Sequence, residues 1–173
     1  DFVHSSNCLE HMVDPLGALN EWWSLVKPGG YLVIVVPDED LYEQGVFPSR
    51  WNEDHKFTFT IYKSNSWCNK SINLAAMASE LKDGRTIRLR RLDRHYDYQL
   101  KNVDQTNLGA EAFIELVMQK DFISPSELKT FKHSGARGDI IYSLPTIKAL
   151  GGGTLYVSTD NLTYVGKAIT GQE

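Results

Sequence analysis

In the stretch Val26-Lys27-Pro28-Gly29-Gly30-Tyr31-Leu32-Val33-Ile34-Val35-Val36, a proline and two glycines separate a helical pattern from a strand pattern. The residues from Tyr31 to Val36 are apolar and largely β-branched without alternation, which is expected of a parallel strand covered on both faces. Lys27-Pro28-Gly29-Gly30 ends what precedes and turns the chain. Upstream, Leu16, Leu19, Trp23 and Val26 recur at helical spacing and form one apolar stripe. Asp14-Pro15 opens that helix, the aspartate as N-cap and the proline at the first helical position. Asp1 to Ser6 reads as a short strand, so the first third of the chain is expected to be a strand–helix–strand unit with parallel strands.

After Pro37 a polar, aromatic-rich region runs to about Tyr62, too long for a simple connector, and such segments tend to carry function. Ile72, Ala75, Ala76 and Ser79, with Leu74, Met77, Ala78 and Leu81, predict a helix that Lys82-Asp83-Gly84 ends. Arg85 to Tyr96 alternates, with Ile87 and Leu89 on one face and Arg88 and Arg90 on the other. Ala110 to Lys120 does the same, with Ala112, Ile114, Leu116 and Met118 together. The polar stretch Asp97 to Gly109 between them predicts an antiparallel pair. Ser124-Pro125-Ser126 reads as a linker dividing a first region, 1–123, from a second, 124–173. There the pattern restarts as a second α/β unit with strands at Thr130 to His133 and Thr154 to Thr159.

With 173 residues and 42% apolar content, the chain can build the core of an ordinary domain. The longest apolar run, Tyr31 to Val36, is far shorter than the ~20 residues of a membrane-spanning helix, and no charged-then-apolar leader opens the sequence. A soluble, cytoplasmic protein is expected. Cys8 and Cys68 have no paired spacing and read as reduced thiols. A net charge of −4 speaks against a dedicated nucleic-acid binder. Arg85, Arg88, Arg90, Arg91 and Arg94, interleaved with Tyr96 and Tyr98, are read as a charged edge strand that discourages pairing, in preference to a nucleic-acid surface. The sequence opens on Asp1 inside a strand pattern, and Gly166 to Glu173 follows strand-like text without a closing helix. Both ends are therefore expected to fall within domains.

Ligands of an open α/β sheet bind outside the carboxyl ends of the parallel strands, where helix N-termini and loops converge. That rule selects Ser5, Ser6, Asn7, Glu10 and His11 after the first strand. After the second it selects Asp38, Glu39, Asp40 and the loop through Asp54 and His55.

The run Asp-Phe-Val-His-Ser-Ser-Asn-Cys-Leu-Glu-His (1–11), Asp14-Pro15, Glu21-Trp22, Val26-Lys27-Pro28-Gly29-Gly30-Tyr31-Leu32 and Pro37 resembles the second half of class I S-adenosylmethionine-dependent methyltransferases. The resemblance extends to about Lys120. It implies a partial Rossmann-like sheet, in which the two parallel strands are the fourth and fifth of seven and the last two form the antiparallel hairpin. It also implies S-adenosylmethionine as cofactor, with Ser6 and Asn7 beside its methionine portion. The family's glycine-rich loop and ribose-holding acidic residue would lie upstream of Asp1, so the cofactor cradle of this chain is expected to be incomplete.

Methyl transfer from a sulfonium is an in-line displacement, for which the protein holds the acceptor at attack distance and supplies a general base where one is needed. His11 and His55 are the candidate bases and Glu10 the candidate orienter. The plainer reading has Glu10 and His11 bracing the adjoining helix. Some relatives bind a divalent metal through Glu-x-x-Glu-His, but Asn7 stands where the first glutamate would be, and no metal site is expected. Trp51-Asn52-Glu53-Asp54-His55-Lys56 either lines the acceptor pocket or buries the Trp51 ring while the rest is solvated.

The tail carries a second resemblance. His133-Ser-Gly-Ala-Arg-Gly-Asp139, Ser143-Leu-Pro-Thr-Ile-Lys-Ala-Leu150 and Gly151-Gly-Gly153 look like the beginning of heptosyltransferase-type glycosyltransferases. A glycosyltransferase neighbour implies a small-molecule or sugar acceptor in glycan biosynthesis. The alternatives are a glycosyltransferase with an accessory methyltransferase-like portion, and a non-catalytic remnant.

Overall fold

The computed structural model describes residues 1–122, 130–132 and 154–156. The chain divides into two compact units, Asp1–Phe122 and Ile123–Glu173.

The first unit is a mixed α/β sheet in which a parallel strand pair is followed by an antiparallel hairpin. Strand β1 (Phe2–Ser6) leads through a 3-10 turn, Leu9–His11, into helix α1 (Pro15–Leu25), which returns to strand β2 (Tyr31–Pro37). β1 and β2 pair in parallel, with Phe2 opposite Tyr31 and Ser6 opposite Val35. The expected cap is present: the Asp14 side chain accepts from the Gly17 amide at 2.9 Å, and Pro15 occupies the first turn, satisfying an amide the helix cannot pair itself.

After β2 come β3 (Thr58–Thr60), β4 (Ser71–Asn73), α2 (Leu74–Ser79), β5 (Gly84–Leu92) and β6 (Phe113–Lys120). The four-stranded sheet runs β1-β2-β6-β5, and β6 is antiparallel to both β2 and β5. The hairpin expected from the alternating patterns is therefore formed. β3 and β4 make a separate parallel pair.

The core follows the periodicities. Leu32, Ile34 and Val36 of β2 are buried with Ile114, Leu116 and Met118 of β6, against Leu19, Trp23 and Val26 from the α1 side and Leu74, Met77, Ala78 and Leu81 from the α2 side. Trp23 is further fixed by its indole N–H, which donates to the Lys82 carbonyl at 2.8 Å.

Several expectations are corrected in detail. Leu16 does not join the buried stripe but is 40% exposed; it lies in the first turn, beside an apolar groove shared with Ile72 and Met77. Ile72 belongs to β4 and not to the helix, which starts at Leu74 under an Asn73 cap. β5 bulges between Thr86 and Arg88, so Ile87 leaves the alternation and is 49% exposed, while Leu89 packs on the core. The inserted residue of a bulge has no partner across the ladder, and that breaks the period of two. β2 is less completely covered than a buried parallel strand, since Val33 and Val35 are only half-buried.

The arginines of the β5 edge are largely paired. Arg88 and Arg90 reach Glu115 at 2.7 and 3.0 Å, Arg91 reaches Asp38 at 2.8 Å, and Arg94 reaches Glu111 at 3.5 Å. Cys8 and Cys68 are both free thiols. Among the described residues no helix is long and apolar enough to cross a membrane.

In the second unit, β7 (Thr130–Lys132) and β8 (Thr154–Tyr156) pair in parallel, with Thr130 opposite Thr154. Both fall where strands are expected. The linker at Ser124-Pro125-Ser126 and the motifs at 133–139, 143–150 and 151–153 lie outside the described residues.

Candidate active site

The carboxyl ends of β1 and β2 open onto a cavity of about 240 Å³ lined by Asn7, Glu10, His11, Pro37, Tyr42, Asn52, His55, Thr106 and Phe113. Three separate segments supply its chemistry. The 3-10 turn after β1 carries Glu10 and His11. A turn of π-helix, Glu39–Glu43, carries Tyr42 and Glu43. The loop that follows brings His55, whose backbone N–H donates to the Asn52 carbonyl at 3.2 Å.

The π-turn has a clear local cause. The Asp38 carboxylate caps it, with Oδ1 accepting from the amides of Asp40 at 2.9 Å and Leu41 at 3.2 Å. It closes with the Gln44 amide donating to the Glu39 carbonyl at 3.1 Å, and Gln44 takes the left-handed conformation at φ 51°. Glu39, fully buried, accepts from Thr58 at 3.0 Å, Ser66 at 2.8 Å and Ser71, and pairs with Lys63 at 2.6 Å. Such pairing is what makes a buried carboxylate tolerable. One-turn π insertions recur at functional sites because they re-aim side chains.

The candidate residues fall into two groups. His11 and His55 come together edge to face, with ring centroids 4.9 Å apart. Glu10 lies between their Nε2 atoms, its Oε1 at 3.7 Å from His11 and 4.0 Å from His55. One donor atom from each of the three lies within 4.8 Å of the others, close enough to face a single proton or cation. Asn7 lines the same cavity in the left-handed conformation, φ 49°. Ser6 does not line it and is exposed. Trp51 is half-buried and donates its indole N–H to the Tyr42 carbonyl at 2.9 Å. That ring braces the π-turn from behind.

Glu10 is 1% exposed and neither of its carboxylate oxygens has a hydrogen-bond partner. Burial raises its pKa above the ordinary carboxylate value, with the nearby His55 and His11 opposing the shift. The Tyr42 hydroxyl is pushed up to about 12 by burial and by the Asp104, Glu43 and Glu10 carboxylates, so it stays protonated at any physiological pH.

Sequence reasoning did not select Glu43. Its Oε1 lies 2.7 Å from Nδ1 of His55, and both side chains are buried. A glutamate twelve residues before a histidine across an irregular loop leaves no periodic trace. The one available signal was Asp38-Glu39-Asp40, an acidic cap directly after a buried strand. Tyr42 and Thr106 were likewise not singled out as cavity residues, whereas Asn52 and His55, of the segment 51–56 weighed for the acceptor pocket, do line it.

A parallel strand pair with acid–base side chains gathered at its carboxyl rim defines a ligand-binding or catalytic α/β domain. A family model described as a methyltransferase domain matches residues 1–102, and the chain belongs to that family. No curated protein matches it.

Proposed function

We propose that this chain takes part in S-adenosylmethionine-dependent methyl transfer to a small-molecule or sugar acceptor, with His55 and His11 as bases at the acceptor. The observation that carries the reading is the convergence of Glu10, His11 and His55 on one cavity at the carboxyl ends of β1 and β2, inside the residues matched by the methyltransferase family.

The cavity, about 240 Å³, is smaller than the roughly 300–1,000 Å³ of a complete small-molecule site. It suits the reacting end of a cofactor together with an acceptor group, not a whole nucleoside. Asn7 on its wall, and Ser6 beside it in the chain, are the residues that would meet the methionine portion. Bound there, S-adenosylmethionine supplies a methyl group activated by the positive sulfonium. Of the protein's groups, Asn7 and Thr106 border the space, Pro37 and Phe113 limit water, and the histidines offer ring nitrogens to an acceptor proton.

In this reading residues 1–123 are the methyltransferase portion and 124–173 begin a glycosyltransferase-like unit, which motivates an acceptor from glycan biosynthesis in the cytoplasm.

Nuclear magnetic resonance of the full chain titrated with S-adenosylmethionine tests the cofactor side, since it detects weak binding. Shifts are expected at the Ser6, Asn7 and His55 amides, with those of Met77 and Met118 unmoved. An unchanged spectrum at millimolar ligand would sink the reading. Transfer of labelled methyl to saccharides and small hydroxylated compounds tests the acceptor side. His55→Ala and His11→Ala are each expected to lower it by roughly 10²–10⁴-fold, the usual contribution of a positioned base.

A further inference from the structure

We propose that Glu43 is the positioning residue of the site, holding His55 in the tautomer whose bare Nε2 faces the acceptor, and that the acceptor group is therefore a hydroxyl. The second clause rests on the reading above; the first stands without it.

A carboxylate oxygen accepts hydrogen bonds, so the 2.7 Å contact between Glu43 Oε1 and His55 Nδ1 places the ring hydrogen on Nδ1. That leaves Nε2 as a lone pair. It is directed toward Glu10 Oε1, 4.0 Å away, too far to be used up in a hydrogen bond. His11 is set the same way by a different group: its Nδ1 lies 3.2 Å from the Asp54 carbonyl, which can only accept. Its Nε2 points at the same Glu10 oxygen from 3.7 Å.

The buried center thus gathers ring-nitrogen lone pairs and a carboxylate, neither oxygen of which takes a hydrogen bond from the Tyr42 hydroxyl on the same cavity wall. Glu10 Oε1, Glu10 Oε2 and Glu43 Oε2 all lack hydrogen-bond partners, at a cost that buried polar groups seldom bear without a reason. The titratable groups facing His55 are Glu43 and Tyr42 from the π-turn and Glu10 and His11 from the 3-10 turn. Such an arrangement accepts a donor from outside. A hydroxyl is the donor whose proton must leave if its oxygen is to be methylated.

In that step the hydroxyl proton passes to Nε2 of His55, and the freed oxygen pair forms the carbon–oxygen bond as the methyl–sulfur bond breaks and sulfur keeps its electrons. The positive charge acquired by His55 is stabilised by Glu43 across the 2.7 Å contact. The precise length and burial of that contact separate it from a surface ion pair, whose partners exchange freely with water.

The test is the tautomer of His55, read from the nitrogen shifts of its ring in the full chain at pH 8. The proposal expects hydrogen on Nδ1 and an unprotonated Nε2, the reverse of the preference of a free imidazole. Glu43→Gln, which keeps an acceptor oxygen, should retain that state, and Glu43→Leu should lose it. Hydrogen on Nε2 in the unaltered protein overturns the proposal, and that measurement needs no variant to fold. So does a shift of both histidine rings on adding micromolar zinc or manganese, because a cation would then be the missing partner.

Methyl transfer supplies the second readout. Glu43→Leu should lower kcat at least tenfold with the acceptor KM unchanged, should move the acidic limb of the pH profile, where the base is protonated and inactive, and should add nothing in a His55→Ala background. Transfer to amines in place of hydroxyls overturns the acceptor class. If the tautomer is as expected and His55→Ala leaves transfer intact, the base assignment fails while the positioning of His55 stands.

Discussion

Nε of Arg91, on the edge strand β5, donates to Oδ2 of the fully buried Asp38 at 2.8 Å. The other oxygen of that carboxylate caps the π-turn that carries Glu43. The edge of the sheet and the rim of the cavity are thus joined through one side chain. Burial raises the pKa of Asp38 despite the opposing charge of Arg91, so losing the guanidinium would strand the carboxylate. Arg91→Met should destabilise the fold by roughly 3 kcal/mol, since breaking one side of a buried pair leaves an uncompensated charge. A lowered urea midpoint with unchanged slope checks it, and an unchanged midpoint would refute it.

Glu10 makes the site unstable in a pH-dependent way. Its pKa is raised above 4.5 in the fold, chiefly by burial, so the folded state holds this proton more tightly than the unfolded chain does. Its stabilising contribution is full below the unfolded pKa and is lost as pH rises through the folded value. Glu10→Gln removes the penalty, and at pH 8 the variant should be more stable than the parent by about 1 kcal/mol, in the range usual for relieving a functional residue. Thermal unfolding from pH 4.5 to 8 should show the gap opening as pH rises. A gap that closes would contradict the assignment.

Gly84 begins β5 beneath Trp23. A Cβ there would meet the Trp23 ring and lie 2.8 Å from the Gln119 carbonyl oxygen. The ring cannot retreat easily, being held by the Lys82 carbonyl and by Lys120 Nζ, 5.2 Å from its centroid. Gly84→Ala should therefore cost about 1–3 kcal/mol, as overpacking does, and should shift the tryptophan emission. Full stability in the alanine variant would show that Trp23 is free to move.

Removing the α1 cap tests the part of the fold most visible in the sequence. Asp14→Ala should cost about 1 kcal/mol, because the Gly17 amide loses the acceptor it now has at 2.9 Å. Chemical denaturation measures it, and Asp14→Ser should recover most of the loss.

Ionisation of Tyr42 should be the late event in an alkaline titration, at about pH 12. Comparing ultraviolet titrations of the parent and Tyr42→Phe isolates it. A difference curve centred near 10 would mean that the cavity wall is open to water.

What could be read from the sequence was local. A capping aspartate, a proline at the first turn, a glycine stop and an apolar β-branched run act within a few residues of themselves, and they sufficed for α1, β2 and the parallel pairing of β1 with β2. The alternation of Ile114, Leu116 and Met118 sufficed for the hairpin. The meeting of His11 with His55 was also foreseeable, because adjacent parallel strands deliver their loops to one rim. Tertiary structure decided the rest. Glu39 and Glu43 are charged, and a charge is by default read as solvated, since burial costs several kcal/mol unless partners surround it. Those partners, Lys63, Thr58, Ser66 and Ser71 for one and His55 for the other, arrive from the strands β3 and β4 and from separate loops, with no shared period. The bulge that exposes Ile87 and the π insertion that turns Glu43 inward each break the repeat on which sequence reading depends, so only the assembled fold assigns those side chains their places.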